Sequence, residues 1–210
     1  MSRPSPESVA VAILAKAPLP GFAKSRLAPA LGAARAAALQ ARFIERAVAT
    51  ARAANIGPVT LWAAPDREHP AFQTLAALFG VALARQPEGD LGVRMLAALD
   101  AARGPALVIG TDCPALEPDH LRAAADALAG GVDAVVVPVE DGGYALIGLR
   151  EAEPRLFADM PWSTAAVMAE TRRRLTRLGL SWREPAHLWD VDEPADLEHL
   201  SRAGLASLMR

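Results

Sequence analysis

The chain contains two lysines, Lys16 and Lys24, which lie within nine residues of each other in a segment rich in glycine and proline. The other 20 of its 22 basic residues are arginines, whose rigid fork differs from the compact, mobile ammonium of lysine. Arg26 follows closely, so three cations stand within eleven residues. Backbone N–H groups of a Gly-containing, Pro-stiffened loop add donors. The segment 15–27 therefore predicts a cradle for a polyphosphate, with a surface loop carrying stray charges as the alternative.

This loop lacks the standard nucleotide-binding signatures. The pattern GxxxxGK[ST] is absent, and Ala23 stands directly before Lys24. The chain also has no GxGxxG, which disfavours a dinucleotide cofactor.

Carboxylates follow two other extended segments. Asp112 comes just after the apolar run 106–110, where a carboxylate is costly unless it is paired, hydrogen-bonded or bound to metal. It suits a first Mg²⁺ ligand, and a cap of the next loop is the equal alternative. Asp190 and Asp192 alternate along a second extended segment, so both side chains can approach one cation. Asp192 can instead cap the final helix, which has Pro194 in its first turn.

The segment Asp141-Gly142-Gly143-Tyr144 lies between two predicted strands. It fits a tight hairpin with glycine at positive φ. Two glycines also allow the backbone to approach a ligand closely. The residues alone do not separate these alternatives.

Two further features predict structure more than chemistry. Cys113 would need a neighbouring base to act as a nucleophile, and none of the four histidines has a recognisable signature. We therefore expect it to pack as a small hydrophobe. The arginines 172, 173, 174 and 177 are expected to form a solvated helix face.

Apolar runs and helical segments alternate along the chain, which predicts a mostly parallel sheet covered by helices on both faces. The predicted strands are Val9–Ala15, Val59–Ala64, Val81–Arg85, Ala106–Gly110, Asp133–Val139, Tyr144–Leu149 and, more weakly, Leu180–Glu184. The predicted helices are Ala33–Ala54, Ala71–Phe79, Leu91–Arg103, Pro118–Ala129, Thr164–Leu178 and Pro194 to about Leu208, with a loop over Lys16–Pro29. Ligands of such sheets gather beyond the carboxyl ends of the strands, where the residues above lie.

Composition limits the class of protein. The chain has 210 residues, 52% of them hydrophobic, and a net charge of −2. These values predict one globular domain over residues 1–210, with residues 1–8 as a flexible tail. Basic residues do not cluster as nucleic-acid binding requires. A single cysteine, no signal peptide and no apolar run long enough for a bilayer predict a cytoplasmic protein without a membrane partner.

Six motifs occur in an order that resembles a bacterial family, the glycosyltransferase A-like family, also called radical-SAM/selenodomain-associated transferase 1. They are AKAPLPGFAKSRL, QPEGDLGVRM, GTDCPAL, EDGGYALIGL, PWST and DVDEPADL. The family is similar in turn to 2-phospholactate guanylyltransferases and, more distantly, to other nucleotidyltransferases. The resemblance implies a three-layer α/β/α domain of the nucleotide-diphospho-sugar transferase (GT-A-like) fold.

The resemblance also implies roles for individual residues. Those expected to bind the nucleotide are Ala15, Lys16, Gly21, Lys24, Ser25, Arg26, Asp90, Gly92 and Arg94. Those expected to hold the acceptor are Asp141, Gly142, Gly143, Tyr144, Trp162, Ser163 and Thr164. Asp112, together with Asp190 or Asp192, would bind Mg²⁺ or Mn²⁺, and the groups expected to serve catalysis are Lys24, Arg26 and Asp112.

Two reactions share this scaffold, and the resemblance leaves both open. A nucleotidyltransferase would move an NMP from an NTP to a small phosphate- or phosphonate-bearing acceptor and release pyrophosphate. A glycosyltransferase would use an NDP-sugar. The dense cationic loop favours a triphosphate and therefore nucleotidyl transfer. A non-catalytic nucleotide-binding module is the third alternative, because fold does not fix function. The expected partners are a nucleotide and a small acceptor; the oligomeric state stays open, with a homodimer as one alternative.

Overall fold

The structure, a computed structural model, describes residues 8–209. Seven strands form one sheet in the order β3-β2-β1-β4-β6-β5-β7. The strands are β1 (Ala10–Lys16), β2 (Val59–Ala64), β3 (Ala82–Arg85), β4 (Ala106–Ile109), β5 (Ala134–Pro138), β6 (Tyr144–Leu149) and β7 (Trp182–Arg183). Only β6 runs against the others among these seven, since β4 and β5 both pair with it antiparallel. The predicted mostly parallel sheet is confirmed.

Seven α-helices connect and cover the strands. They are α1 (Ala28–Leu31), α2 (Ala33–Ala54), α3 (Pro70–Phe79), α4 (Leu91–Ala102), α5 (Pro118–Ala129), α6 (Val167–Leu178) and α7 (Leu197–Arg202). The long Ala/Arg helix α2 has the predicted bounds and ends at Asn55, whose left-handed φ of 51° closes it. Short 3₁₀ turns cover Ser25–Leu27, Pro154–Leu156, Pro194–Asp196 and Ala206–Met209.

The sheet separates two apolar layers. Val11 and Ile13 of β1 face the layer built with α2, α3 and α5. Ala12, between them, faces the layer built with α4 and α6, because successive side chains of a strand point to opposite faces. This arrangement is the expected three-layer α/β/α fold.

A third apolar cluster joins the two ends of the chain. Val191 and Leu200 of the C-terminal segment pack with Leu27, Leu39 and Phe43, and all five are buried. Burial of one such side chain contributes roughly 1.5–3 kcal/mol. The contact holds the C-terminal carboxylate segment against the loop that follows β1.

Most predicted strands and helices differ from the structure by one or two residues at an end, and three segments differ more. The predicted loop 16–29 contains the 3₁₀ turn 25–27 and the start of α1. The predicted last helix is broken after Arg202, because Gly204 turns with a φ of 73°. The helix predicted from Thr164 begins at Val167 instead, since the Thr164 hydroxyl accepts a hydrogen bond from the Ala166 N–H and forms a local turn.

No helix within residues 8–209 is long and apolar enough to cross a membrane. The predicted flexible tail falls on residues 1–7 outside the described range, apart from Ser8. The assignment of residues 1–210 to one domain stays a prediction.

Candidate active site

A cavity of about 690 Å³ opens where the parallel strands end and β6 begins. Most of the residues predicted from the sequence line it: Ala15, Lys16, Lys24, Ser25, Arg26, Asp90, Arg94, Asp112, Asp141, Tyr144, Ser163, Thr164, Asp190 and Asp192. The predicted residues outside its wall are Gly21, Gly92, Gly142, Gly143 and Trp162. The fold therefore brings together segments far apart in the sequence, and the individual roles stay predictions.

Lys24 lies at the centre of the contact between the first loop and the C-terminal segment. Its Nζ is 2.6 Å from Asp112 Oδ1 and 2.9 Å from Asp192 Oδ1, and it donates to the Val191 carbonyl at 2.6 Å. Burial opposes the charge of this ammonium, but the two carboxylates outweigh burial and raise the pKa of Lys24. Lys24 is thus a buried cation that binds the protein's own carboxylates.

Three carboxylates lie close together on the same wall. One oxygen from each of Asp141, Asp190 and Asp192 lies within 4.8 Å of the others. Burial and then repulsion from Asp141, Asp192 and Asp112 raise the pKa of Asp190 to about 7. Asp190 and Asp192 thus lie close enough to approach one cation, as expected, and Asp141, predicted to bind the acceptor, lies beside them; binding of a metal stays a prediction.

The alternative role of Asp192 as a helix cap was wrong. Glu193 caps the turn 194–196, and the carboxylate of Asp196 accepts the N–H groups of Asp192 and Glu193. The side chain of Asp192 instead pairs with Lys24 and lines the cavity.

These carboxylates suit a divalent cation. Mg²⁺ in phosphate-handling sites takes oxygen ligands, commonly one or two carboxylates plus substrate oxygens. A cation placed among Asp141, Asp190 and Asp192 would offset the repulsion between these carboxylates, which helps to raise the pKa of Asp190. The donor set thus fits Mg²⁺ or Mn²⁺. Asp112 and Asp192 both pair with Lys24, and the metal role expected of Asp112 stays a prediction.

A buried glutamine missed by the sequence reasoning positions Asp112. Gln40 of α2 donates from Nε2 to Thr111 Oγ1 at 3.1 Å and to the Lys16 carbonyl at 3.4 Å. The Thr111 hydroxyl in turn donates to Asp112 Oδ1 at 3.3 Å. The sequence did contain a signal for Gln40, because this residue lies four positions after Ala36 and four before Ile44, on the buried face of α2.

The cations that remain open to the cavity are Lys16, Arg26 and Arg94. None of the three has an ion-pair partner among residues 8–209. Arg94 donates from Nε to the Gly89 carbonyl at 3.2 Å. The cavity is therefore lined by these three cations as well as by the carboxylates.

The segment with Asp90, Gly92 and Arg94, which the resemblance implies binds the nucleotide, forms the start of α4. Asp90 caps this helix by accepting the Val93 N–H at 2.9 Å. Gln86, which the sequence reasoning did not single out, lines the cavity and donates from Nε2 to the carbonyls of Ala15 and Trp62 at 3.0 and 2.8 Å. Gln86 thereby ties the ends of β1 and β2 together.

The predicted hairpin is confirmed by the antiparallel pairing of β5 and β6. Gly142 approaches another backbone segment closely, and the close approach to a ligand stays a prediction. Its φ is +89°, and a Cβ there would lie 2.3 Å from the Ala165 carbonyl oxygen. The Gly142 carbonyl accepts the Met168 N–H at 2.8 Å. The hairpin is thus locked to the loop that carries Ser163 and Thr164.

Arg174 anchors the same loop and corrects the prediction of a fully solvated arginine face. It is 6% exposed, pairs with Glu170 at 2.5 Å, and donates to the carbonyls of Leu156, Ala158 and Asp159. A guanidinium with five donors can satisfy several carbonyls at once. The neighbouring Arg172 and Arg173 keep exposed side chains, as expected.

Trp162 and Cys113 complete the surroundings. Trp162 packs beside Gly92, where a Cβ would lie 3.0 Å from the indole, and its buried Nε1 has no hydrogen-bond partner within residues 8–209. Burial, followed by repulsion from Asp190, raises the pKa of Cys113 to about 12. A neutral thiol packed against the core agrees with the hydrophobic interpretation of Cys113.

The fold and the cavity define the class as the nucleotide-diphospho-sugar transferase-like α/β proteins, and we place the chain among the transferases of this fold. The chain belongs to the bacterial family described as "Uncharacterized protein conserved in bacteria (DUF2064)", whose profile matches residues 47–164. This membership agrees with the family resemblance of the motifs. A comparison with the curated proteins finds no match.

Solved structures support the fold. A candidate nucleotide-diphospho-sugar transferase from Desulfovibrio desulfuricans G20 is 28% identical, with a TM-score of 0.85, over 94% of this chain and 87% of that one. CMP:2-keto-3-deoxy-manno-octonic acid synthetase, complexed with CTP, is 16% identical, with a TM-score of 0.57, over 95% and 99%. Glucosyl-3-phosphoglycerate synthase from Mycobacterium tuberculosis, complexed with Mn²⁺, UDP and glucosyl-3-phosphoglycerate, is 12% identical, with a TM-score of 0.55, over 97% and 79%. At these identities the last two show the fold alone.

Proposed function

We propose that the protein is a divalent-metal-dependent nucleotidyltransferase, which moves an NMP from an NTP to a small phosphate- or phosphonate-bearing acceptor. The observation that carries this proposal is that one cavity is lined both by the cations Lys16 and Arg26 and by the clustered carboxylates of Asp141, Asp190 and Asp192. The first suits phosphates and the second suits Mg²⁺ or Mn²⁺.

The reaction requires an acceptor oxygen to attack the α-phosphorus in line with the leaving pyrophosphate. A bond forms from that oxygen to phosphorus, and the bond to pyrophosphate breaks. Lys16 and Arg26 offset the charge that builds on the transferred and leaving phosphates. The three clustered carboxylates would hold the metal, which would supply positive charge for phosphate chemistry when bound.

We assign the acceptor to the side formed by the hairpin and the loop with Ser163 and Thr164. Both segments line the cavity; Gly142 packs against Ala165 of the loop, and Arg174 donates to carbonyls at the start of that loop. Rigid support of a site favours catalysis, because small displacements of reacting groups are costly.

A second candidate, glycosyl transfer from an NDP-sugar, is favoured by the name of the 28%-identical relative. It uses the same metal and a diphosphate in place of a triphosphate. A non-catalytic nucleotide-binding module would bind nucleotide without turnover.

Thermal unfolding with four NTPs and several NDP-sugars, each with and without Mg²⁺, separates these candidates. A ligand at about 100 times its Kd adds ~2.7 kcal/mol, which raises Tm by roughly 5–11 °C for a chain of this size. We expect a Mg²⁺-dependent rise with one NTP that is lost in Asp190→Asn and kept in the control Asp133→Asn, whose carboxylate binds Ser181. Pyrophosphate release with a panel of phosphate and phosphonate acceptors then tests turnover.

A rise confined to NDP-sugars would replace nucleotidyl transfer by glycosyl transfer. A nucleotide-induced rise that is unchanged in Asp190→Asn and accompanied by no turnover would support the binding module.

A further inference from the structure

The ammonium of Lys24 has no hydrogen left for a nucleotide phosphate. A lysine carries three N–H donors, and its Nζ has three oxygen partners, from Asp112, Asp192 and the Val191 backbone, at 2.6, 2.9 and 2.6 Å. The side chain is 4% exposed, whereas those of Asp112 and Asp192 are 46% and 38% exposed. Lys24 is therefore enclosed on the protein side of carboxylates that remain open to the cavity.

The carboxylates that Lys24 binds overlap with those that suit a metal. Asp192 gives one oxygen to Lys24 and is also a member of the group with Asp141 and Asp190. A divalent cation bound to Asp192 would lie close to the ammonium, and two cations at such a distance repel each other strongly. Lys24 and a metal ion therefore compete for the same wall of the cavity.

The backbone at Lys24 is suited to a change of position. Its φ of 50° and ψ of 40° are left-handed, a conformation that costs a residue other than glycine free energy. The segment from Leu19 to Gly21 before it turns at Gly21, with a φ of 78°. The three bonds of the ammonium stabilise this conformation, so their loss would allow the loop to relax.

We propose that Lys24 is an internal cation that occupies Asp112 and Asp192 in the metal-free protein, and that a divalent metal ion displaces it toward the nucleotide phosphates. This inference rests on the metal-dependent function proposed above. The ammonium keeps the carboxylates assembled before the metal binds. Lys16 and Arg26 contact the phosphates from the start, and Lys24 joins them only after metal binding. The metal thus completes the phosphate-binding loop.

Amine labelling of the wild-type protein tests the displacement without any substitution. Lys16 and Lys24 are the two lysines of the chain, so a brief treatment with an acetylating reagent reports on each by mass spectrometry. In the metal-free protein we expect Lys16 to react and Lys24 to be protected. Saturating Mn²⁺ alone should raise the labelling rate of Lys24 at least tenfold and change that of Lys16 less than twofold. Protection of Lys24 in the Mn²⁺-loaded protein would overturn the inference.

The affinity for Mn²⁺, measured without nucleotide from the paramagnetic resonance signal of free Mn²⁺, gives a second test. Lys24→Met removes the competing cation, and Lys16→Met is the matched control that removes an equal charge from the same cavity. We expect Lys24→Met to bind Mn²⁺ at least tenfold more tightly than wild type, and Lys16→Met to stay within threefold. Weaker binding by Lys24→Met would show that Lys24 is a permanent support of the carboxylates and contradict displacement.

The two proposals fail in different ways. If wild type binds no Mn²⁺, the metal-dependent function is refuted and the inference with it. If wild type binds Mn²⁺ and Asp190→Asn does not, but Lys24 stays protected, the metal site stands and only the displacement of Lys24 is refuted.

Discussion

Replacing Asp190 by asparagine removes a carboxylate whose charged form is repelled by neighbouring carboxylates. The pKa of Asp190 is raised to about 7 by burial and by Asp141, Asp192 and Asp112. In the folded protein Asp190 therefore holds its proton to a higher pH than in the unfolded chain. Between pH 4 and pH 7 the folded state binds more protons, so wild-type stability falls as pH rises through this window. Above pH 7 this loss is complete and constant.

The size of the effect follows from linkage. A shift of roughly 3 pKa units corresponds to about 4 kcal/mol, and because solvent screens a partly exposed group we expect about half of it, ~2 kcal/mol. Asparagine has no charge to lose, so at pH 8 the metal-free Asp190→Asn variant should be more stable than wild type. For a chain of this length that is roughly 4–8 °C in Tm.

The assay is thermal unfolding in EDTA at intervals from pH 4 to pH 9. The gain in Tm of Asp190→Asn over wild type should be near zero at pH 4, grow up to pH 7 and stay constant above it. Asp133→Asn is the control of opposite sign, since hydrogen bonds from Ser181 lower the pKa of Asp133 and stabilise the protein at neutral pH. A gain for Asp190→Asn that is equal at pH 4 and pH 8 would refute the charge repulsion we infer. Added Mn²⁺ should stabilise wild type and leave Asp190→Asn unchanged.

Three other outcomes follow from the packing. Arg174→Met should lower the free energy of unfolding by about 3 kcal/mol, because it leaves buried carbonyls without donors. Arg173 is exposed, so Arg173→Met should lower it by under ~1 kcal/mol. Urea unfolding measures both. Gly142→Ala should lower the free energy of unfolding by about 3 kcal/mol, because of its positive φ and the clash with a backbone oxygen. The control Gly179→Ala, at a φ of +69° in open space, should lower it by about 1 kcal/mol. Equal losses in the two variants would contradict the clash. Cys113, with its pKa raised to about 12, should react with iodoacetamide at pH 8 far more slowly in the folded than in the unfolded protein.

Local signals explain why much of the fold could be predicted. The helix 33–54 is bounded by residues with positive φ, Gly32 and Asn55, and strand 59–64 is a β-rich apolar run. Failures occurred where a distant contact decided the local structure. Arg174 looks like its exposed neighbours in the sequence, and only the carbonyls of the loop 155–159 show that it is buried. The last helix, predicted to run to about 208, ends earlier for a local reason, the turn at Gly204.

The candidate site, like the fold, could be predicted from the sequence only in part. Residue types and strand ends predicted which side chains would meet at the carboxyl edge of the sheet. They did not predict the partners, because the contact of Lys24 with Asp192 spans 168 positions. A loop lysine beside glycine and proline predicts a phosphate ligand equally well whether its ammonium is free or already bound. The role of Gln40 likewise depends on where α2 places it against two strand ends.

The charges of the cavity explain why metal and nucleotide should bind together. The four carboxylates of Asp112, Asp141, Asp190 and Asp192 and the ammonium of Lys24 together carry a formal charge of −3, and the cations Lys16, Arg26 and Arg94 line the same cavity. A triphosphate attracted by the cations also approaches these carboxylates, which repel it until a divalent ion is present. The ion would displace Lys24 from these carboxylates, and bound phosphates would then stabilise the displaced ammonium. Because such coupling is reciprocal, the factor by which Mg²⁺ tightens nucleotide binding must equal the factor by which nucleotide tightens Mg²⁺ binding.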